Sequence, residues 1–123
     1  MITGVDVVFI HVKDPVKMKQ WYSEILELET DFSSPDLHWH EFSFPENNPS
    51  RFALDSIRES PSEVEQQNII ISFKVNDLES FVEKLDKKGI KFYGSQKILD
   101  AGPTLFATIK DIEGNWIQFS QRK

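Results

Sequence analysis

Two short apolar, β-branched runs punctuate the chain, at residues 5–12 and 68–75. Val7-Val8-Phe9-Ile10 and Ile69-Ile70-Ile71 lack polar alternation, the pattern of strands covered on both faces. Each run leads to an aspartate, Asp14 or Asp77, whose carboxylate can accept from the free amides of a first helical turn. Pro15 suits the first helical position, where its missing N–H costs nothing. Beyond the caps the apolar spacing becomes helical: Met18, Trp21, Tyr22 and Ile25 in one segment, Leu78, Phe81, Val82 and Leu85 in the other. Gly89 stands where a left-handed residue closes the second helix. Further strands are predicted over 28–32, 38–44 and 51–57, and again over 90–93, 105–110 and 115–121, with Gly114-Asn115 turning the last hairpin.

The two stretches form an internal repeat. Val12-Lys13-Asp14-Pro15 is echoed by Val75-Asn76-Asp77-Leu78, and Phe52-Ala53-Leu54-Asp55-Ser56 by Trp116-Ile117-Gln118-Phe119-Ser120. The predicted organisation is a single α+β domain over 1–123, with a βαβββ unit at 1–57, a polar linker at 58–67 and a second unit at 68–123. Units of about 60 residues bury too little surface to be comfortable alone, so the two are expected to share a buried surface.

Composition narrows the function classes. Hydrophobic residues make up 39% of the 123-residue chain, enough for a packed core. Twenty acidic against 14 basic side chains give a net charge of −6, which disfavours a nucleic-acid partner. Lys84, Lys87, Lys88 and Lys91 form the densest basic group and read as the wet face and end of a helix. With no cysteine there is no disulfide, thiolate metal site or cysteine nucleophile. No apolar stretch approaches the roughly 20 residues that span a bilayer, and the N-terminus does not read as a signal peptide. A cytoplasmic location is expected.

Val12-Lys13-Asp14 followed by Trp21-Tyr22-Ser23-Glu24-Ile25-Leu26 resembles the "V-x-D … F-Y-x-x-x-L-G" opening of the vicinal-oxygen-chelate superfamily, which includes glyoxalase I, bleomycin-resistance proteins and extradiol dioxygenases. Trp39-His40-Glu41-Phe42, Arg51-Phe52-Ala53-Leu54, Phe73-Lys74-Val75-Asn76-Asp77 and Asp111-Ile112-Glu113-Gly114-Asn115 resemble its later landmarks in the same order. Glu27 departs from the pattern, since the family usually has Gly there. The resemblance implies paired βαβββ units whose mixed sheet curls around a cavity, and a homodimer.

It also implies a divalent-metal site with ligands from the first and last strand of each unit. The first-strand ligand stands seven residues before the capping aspartate, which falls on Val7 and Ile70. The last-strand ligand matches Gln118, with Leu54 as its counterpart, or Asp55 if the register slips by one. Val, Ile and Leu have no lone pair to donate, and Gln118 offers only a neutral carbonyl. The usual ligand set is therefore missing, which counts against metal-dependent lyase or ring-cleaving chemistry. A displaced site would need His11, His38 and His40 to converge; the plainer reading is three ordinary strand histidines. Glu41 is a weak catalytic candidate, as a base, and Trp39 a stacking surface, against the plainer reading of a salt-bridged acid and a core ring. Trp116 carries the same ambiguity as Trp39. Asp111 and Glu113 read as turn residues that bond local amides, and Gly102-Pro103 as a loop at the cavity mouth.

The expectation is a small-molecule binder that needs no cofactor, its cavity lined by Val7, His11, Trp39, Glu41, Leu54, Ile70, Trp116 and Gln118. The alternatives are a metal-dependent lyase or dioxygenase built on the histidines, and a dimeric interaction protein with a vestigial cavity.

Overall fold

Asp14 behaves as the sequence demands of a cap: its Oδ1 accepts from the Lys17 amide at 3.1 Å, and the helix α1, Pro15–Glu24, follows at once. The structure, a computed structural model, describes residues 1, 3, 5–56 and 69–123. The predicted linker at 58–67 lies outside the described residues. Two compact units are present, Met1–Glu63 and Val64–Lys123.

In the first unit α1 lies between β1 (Val8–His11) and the meander β2 (Glu29–Ser33), β3 (Trp39–Ser43) and β4 (Phe52–Asp55). The sheet order is β1-β4-β3-β2, with β1 parallel to β4 and the other pairs antiparallel. One face of this sheet carries α1. Tyr22, fully buried, packs its ring against Phe42 at 6.0 Å and Phe52 at 5.2 Å, and Met18 is buried beside it. Trp21 and Ile25, expected on the same stripe, are half-buried at its margins.

The second unit repeats the plan with β5 (Ile71–Lys74), α2 (Leu78–Lys87), β6 (Leu99–Asp100), β7 (Thr104–Lys110) and β8 (Trp116–Arg122), in the order β5-β8-β7-β6. Leu78, Val82 and Leu85 bury the apolar face of α2, and Phe81 meets Phe119 at 4.8 Å. The side-chain Oε1 of Gln121 accepts from the Leu78 amide at 2.7 Å and so ties the start of α2 to β8. Gly89, at φ +83°, closes α2 in a Schellman turn: Ile90 N–H bonds the Leu85 carbonyl and Gly89 N–H that of Asp86. Asp111 secures the last hairpin through the amides of Glu113 and Asn115, each 2.9 Å away.

Three expectations need correction. Residues 90–93 do not form a strand; Phe92 makes an isolated bridge to Ile109, and the edge position goes to β6. Gly89 and Gly94, both at positive φ, bracket that segment. The apolar runs are not covered on both faces, since Val8 and Phe9 are exposed, as are Ile69 and Ile70. Each four-stranded sheet has one helix, which covers one face, and β1 and β5 are edge strands of their own sheets. Finally, β1 begins at Val8 and β4 ends at Asp55, shorter than predicted.

Glu27, the residue in place of the glycine of the resembling pattern, sits at φ 60°, just before Leu28 N–H bonds back to the Tyr22 carbonyl. A side chain there strains against its own backbone. Glu27→Gly should therefore stabilise the protein by about 0.5–1 kcal/mol, read as a rise in the urea midpoint with no change in slope. An unchanged or lower midpoint would show that the Glu27 side chain compensates fully.

Candidate functional site

Strand alternation divides the first unit's side chains between two faces. His40, Phe42, Phe52 and Leu54 pair rung by rung on the α1 side. The opposite, uncovered face receives Phe9 and His11 from β1, Ala53 and Asp55 from β4, and Trp39 and Glu41 from β3. Because Ala53 is small, the rings of Phe9 and Trp39 meet across β4 with centroids 5.2 Å apart and planes tilted by 59°. Phe9 also meets His11 edge-on at 5.8 Å, so three rings run along this face.

Polar contacts hold these rings in place. The Trp39 indole N–H donates to Glu41 Oε2 at 2.8 Å. The other oxygen, Glu41 Oε1, accepts from Arg51 at 3.2 Å. Beside them His11 Nδ1 lies 3.1 Å from Asp55 Oδ2. The Asp55 side chain is 3% exposed whereas the His11 ring is 44% exposed, so the imidazole stands between the buried acid and solvent. Beyond Arg51, an open depression of about 580 Å³ lies at the β3–β4 end of the unit, bordered by Asp6, Asp31 and Glu46.

The anticipated residues fall into groups. His11, Trp39 and Glu41 share the uncovered face, and Val7, half-buried, precedes β1 in the same alternation. Leu54 does not belong with them: it is fully buried on the α1 side. Register gives the reason. Ser72 and Phe9 each stand five residues before their capping aspartate, and they pair with Gln118 and Ala53 respectively. The counterpart of Gln118 is thus Ala53, one residue before Leu54, and Ala53 has no donor atom either. In the second unit Trp116 contacts Tyr93 at 5.3 Å and lies under the Lys110 ammonium at 4.4 Å. Gln118 is half-buried on β8, and Ile70, exposed, precedes β5.

The metal that the resemblance implies does not fit these side chains. Val7, Ala53 and Ile70 offer no lone pair, and Gln118 only a neutral oxygen. The three histidines do not share a shell. His11 is on the uncovered face, His40 is buried on the opposite one, and His38 bonds Ser56 at 2.9 Å. Among the described residues no group of three or more His, Cys, Asp or Glu could hold a metal ion.

Phe9, Ala53 and Arg51 also line this face without having been anticipated, and so does Asp55, the stated alternative to Leu54. Phe9 was within reach, because it lies midway between Val7 and His11 in a two-residue period. Arg51 was not, because its partner depends on the β3–β4 register.

An α+β chain made of two βαβββ units, with an aromatic face on the first sheet, defines the class. The family model described as the Glyoxalase/Bleomycin resistance protein/Dioxygenase superfamily matches residues 4–119, and the chain belongs to that superfamily. Among solved structures it is similar to TnmS3, an antibiotic binding protein from Streptomyces sp. CB03234, with 20% identity, coverage of 99% of this chain and 98% of that one, and a TM-score of 0.77. A glyoxalase family protein from Bacillus anthracis matches at 19% identity, covering 100% and 98%, with a TM-score of 0.78. Lactoylglutathione lyase from Agrobacterium tumefaciens matches at 11% identity, covering 98% and 94%, with a TM-score of 0.73. At such identities the likeness establishes the fold alone. No curated protein matches the chain by sequence. Among the described residues no helix is long and apolar enough to cross a membrane.

His40 is a titrating group buried on the α1 side of the sheet. Its ring is 1% exposed, Nδ1 lies 2.7 Å from Ser33 Oγ, and Nε2 has no partner among the described residues. Burial, with the nearby Lys19 charge, holds its pKa below the ordinary 6.5. The folded state therefore keeps the ring neutral at a pH where the unfolded chain already protonates it. Stability is full above 6.5 and falls as the pH drops below that value, by at most about 1.4 kcal/mol per pH unit. Urea titrations between roughly pH 7.5 and 5 should show a steeper loss for the wild type than for His40→Leu. Parallel slopes would remove His40 as the cause.

Proposed function

We propose that the protein binds a flat aromatic small molecule on the uncovered face of its first unit, without a metal. The observation that carries this is the locked indole of Trp39: Glu41 fixes its N–H, Arg51 fixes Glu41, and Phe9 abuts the ring. A stacking surface whose orientation is set in advance loses little entropy when a ligand arrives. Both oxygens of Glu41 are engaged, which favours a positioning role for it over that of a base. The fold shared with an antibiotic binding protein agrees with this reading. In the same reading the chain acts in the cytoplasm as a homodimer, consistent with its lack of cysteine and its resemblance to single-domain family members. A net charge of −6 agrees with a partner that is neither nucleic acid nor an anionic membrane surface.

Calorimetric titration with 6-methoxyquinoline tests the site. Trp39→Ala should weaken binding about tenfold or more. Glu41→Gln keeps an acceptor for the indole and loses the Arg51 ion pair, so about a twofold loss is expected. EDTA should change neither value. Unaltered affinity in Trp39→Ala, or loss of binding on chelation, would defeat the proposal.

A further inference from the structure

Ser33 and His40 face each other across a rung of β2 and β3, and Ser33 Oγ lies 2.7 Å from His40 Nδ1. That is the reach of a nucleophile to its base. The ring is 1% exposed, so packing holds it in one place. Ser33, the last residue of β2, is only half-buried and open to an incoming molecule. The next residue, Ser34, is bonded differently: its Oγ donates to Asp36 at 2.6 Å and accepts from the Trp39 amide at 3.1 Å. Of two adjacent serines, one meets an imidazole and the other a carboxylate.

The surroundings suit a base and a developing negative charge. Against the ring stand Ser33 from β2, Leu54 from β4, the Leu37 carbonyl from the β2–β3 turn and, as the acting charge, Lys19 from α1. Burial and Lys19 keep the imidazole neutral at neutral pH, the form that takes up a proton. The Ser34 N–H bonds the Trp39 carbonyl at 2.9 Å, so the Ser33 N–H, one residue earlier, points away from β3. Because β2 is an edge strand, that amide is directed off the sheet. An amide on the nucleophile's own residue is well placed to donate to the oxygen of an attacked carbonyl.

We propose that Ser33 and His40 form a nucleophile–base dyad that takes an acyl group from a carboxylic ester at the β2 edge. The dyad lies on the α1 side of the sheet and is independent of the aromatic site on the other face. It requires the tautomer with the proton on Nε2, so that the Ser33 hydroxyl donates to Nδ1. As Oγ bonds the carbonyl carbon, its proton passes to Nδ1. The imidazolium returns that proton to the departing alkoxide as the ester bond breaks, leaving acyl-Ser33 and an alcohol. Water, deprotonated by the same ring, then releases the carboxylic acid and restores Ser33.

Diisopropyl fluorophosphate, in which phosphorus stands for the ester carbon and fluoride leaves, tests the dyad on the full chain near pH 8. Peptide mapping should place the adduct on Ser33, formed about a hundredfold faster than any on Ser34, the factor that a positioned base supplies. The labelling rate should fall with a midpoint below 6.5 as the pH drops, because protonated His40 no longer accepts. Ser33→Ala should abolish the adduct and lower the turnover of p-nitrophenyl acetate by about tenfold or more. An unlabelled Ser33, equal rates at Ser33 and Ser34, or a rate indifferent to pH would overturn the dyad.

Discussion

Each sheet of this protein has four strands and one helix, and that ratio governs the rest. A helix covers one face of a sheet, so alternate residues of every strand are committed to a packed core and their neighbours are not. On the packed side of the first unit the rings of Tyr22, Phe42 and Phe52 interlock and exclude water. Their alternates on β3 and β4 are Trp39, Glu41, Ala53 and Asp55, side chains that a core does not need. The residues of the proposed binding site lie on the face that the helix does not reach.

That face is organised by charge pairing. Trp39, Glu41 and Arg51 form a chain of hydrogen bonds in which each member fixes the next. Partial burial strengthens such a chain, since solvent competes less for its donors and acceptors. His11 and Asp55 form a second pair nearby, held by the need to satisfy a buried carboxylate. A metal centre would require lone pairs at Val7, Ala53, Ile70 and Gln118; three of those four side chains are hydrocarbon.

The two units share a backbone plan, but their open sheet faces differ in chemistry. Positions equivalent to Phe9 and His11 are Ser72 and Lys74 in the second unit, where Ser72 bonds Ser120 at 3.0 Å. The aromatic lining belongs to the first unit, while the second shows a polar row with Trp116 and Tyr93 at one end. Repetition of the backbone plan preserved the capping aspartates, Asp14 and Asp77, because both helices need the same start. No such requirement ties the side chains of the uncovered faces.

The helices, their caps, the βαβββ repeat and the superfamily were legible in the sequence, because each rests on local signals: an aspartate before an apolar helical stripe, a glycine after it, a β-branched run before both. Trp39, Glu41 and His11 were expected together, and the strand pairing does put them on one sheet face. The register of β4 was not. Matching the two units residue by residue put Leu54 opposite Gln118, whereas the pairing of β1 with β4 puts Ala53 there, and one residue exchanges a buried face for an open one. The pairing of Arg51 with Glu41 and of His11 with Asp55 likewise depended on which strands adjoin. The sequence by itself determined what each segment becomes, because caps and periodicity act over a few residues. Only the tertiary structure decided which side chains meet, because strand order and register are set by packing between segments far apart in the chain.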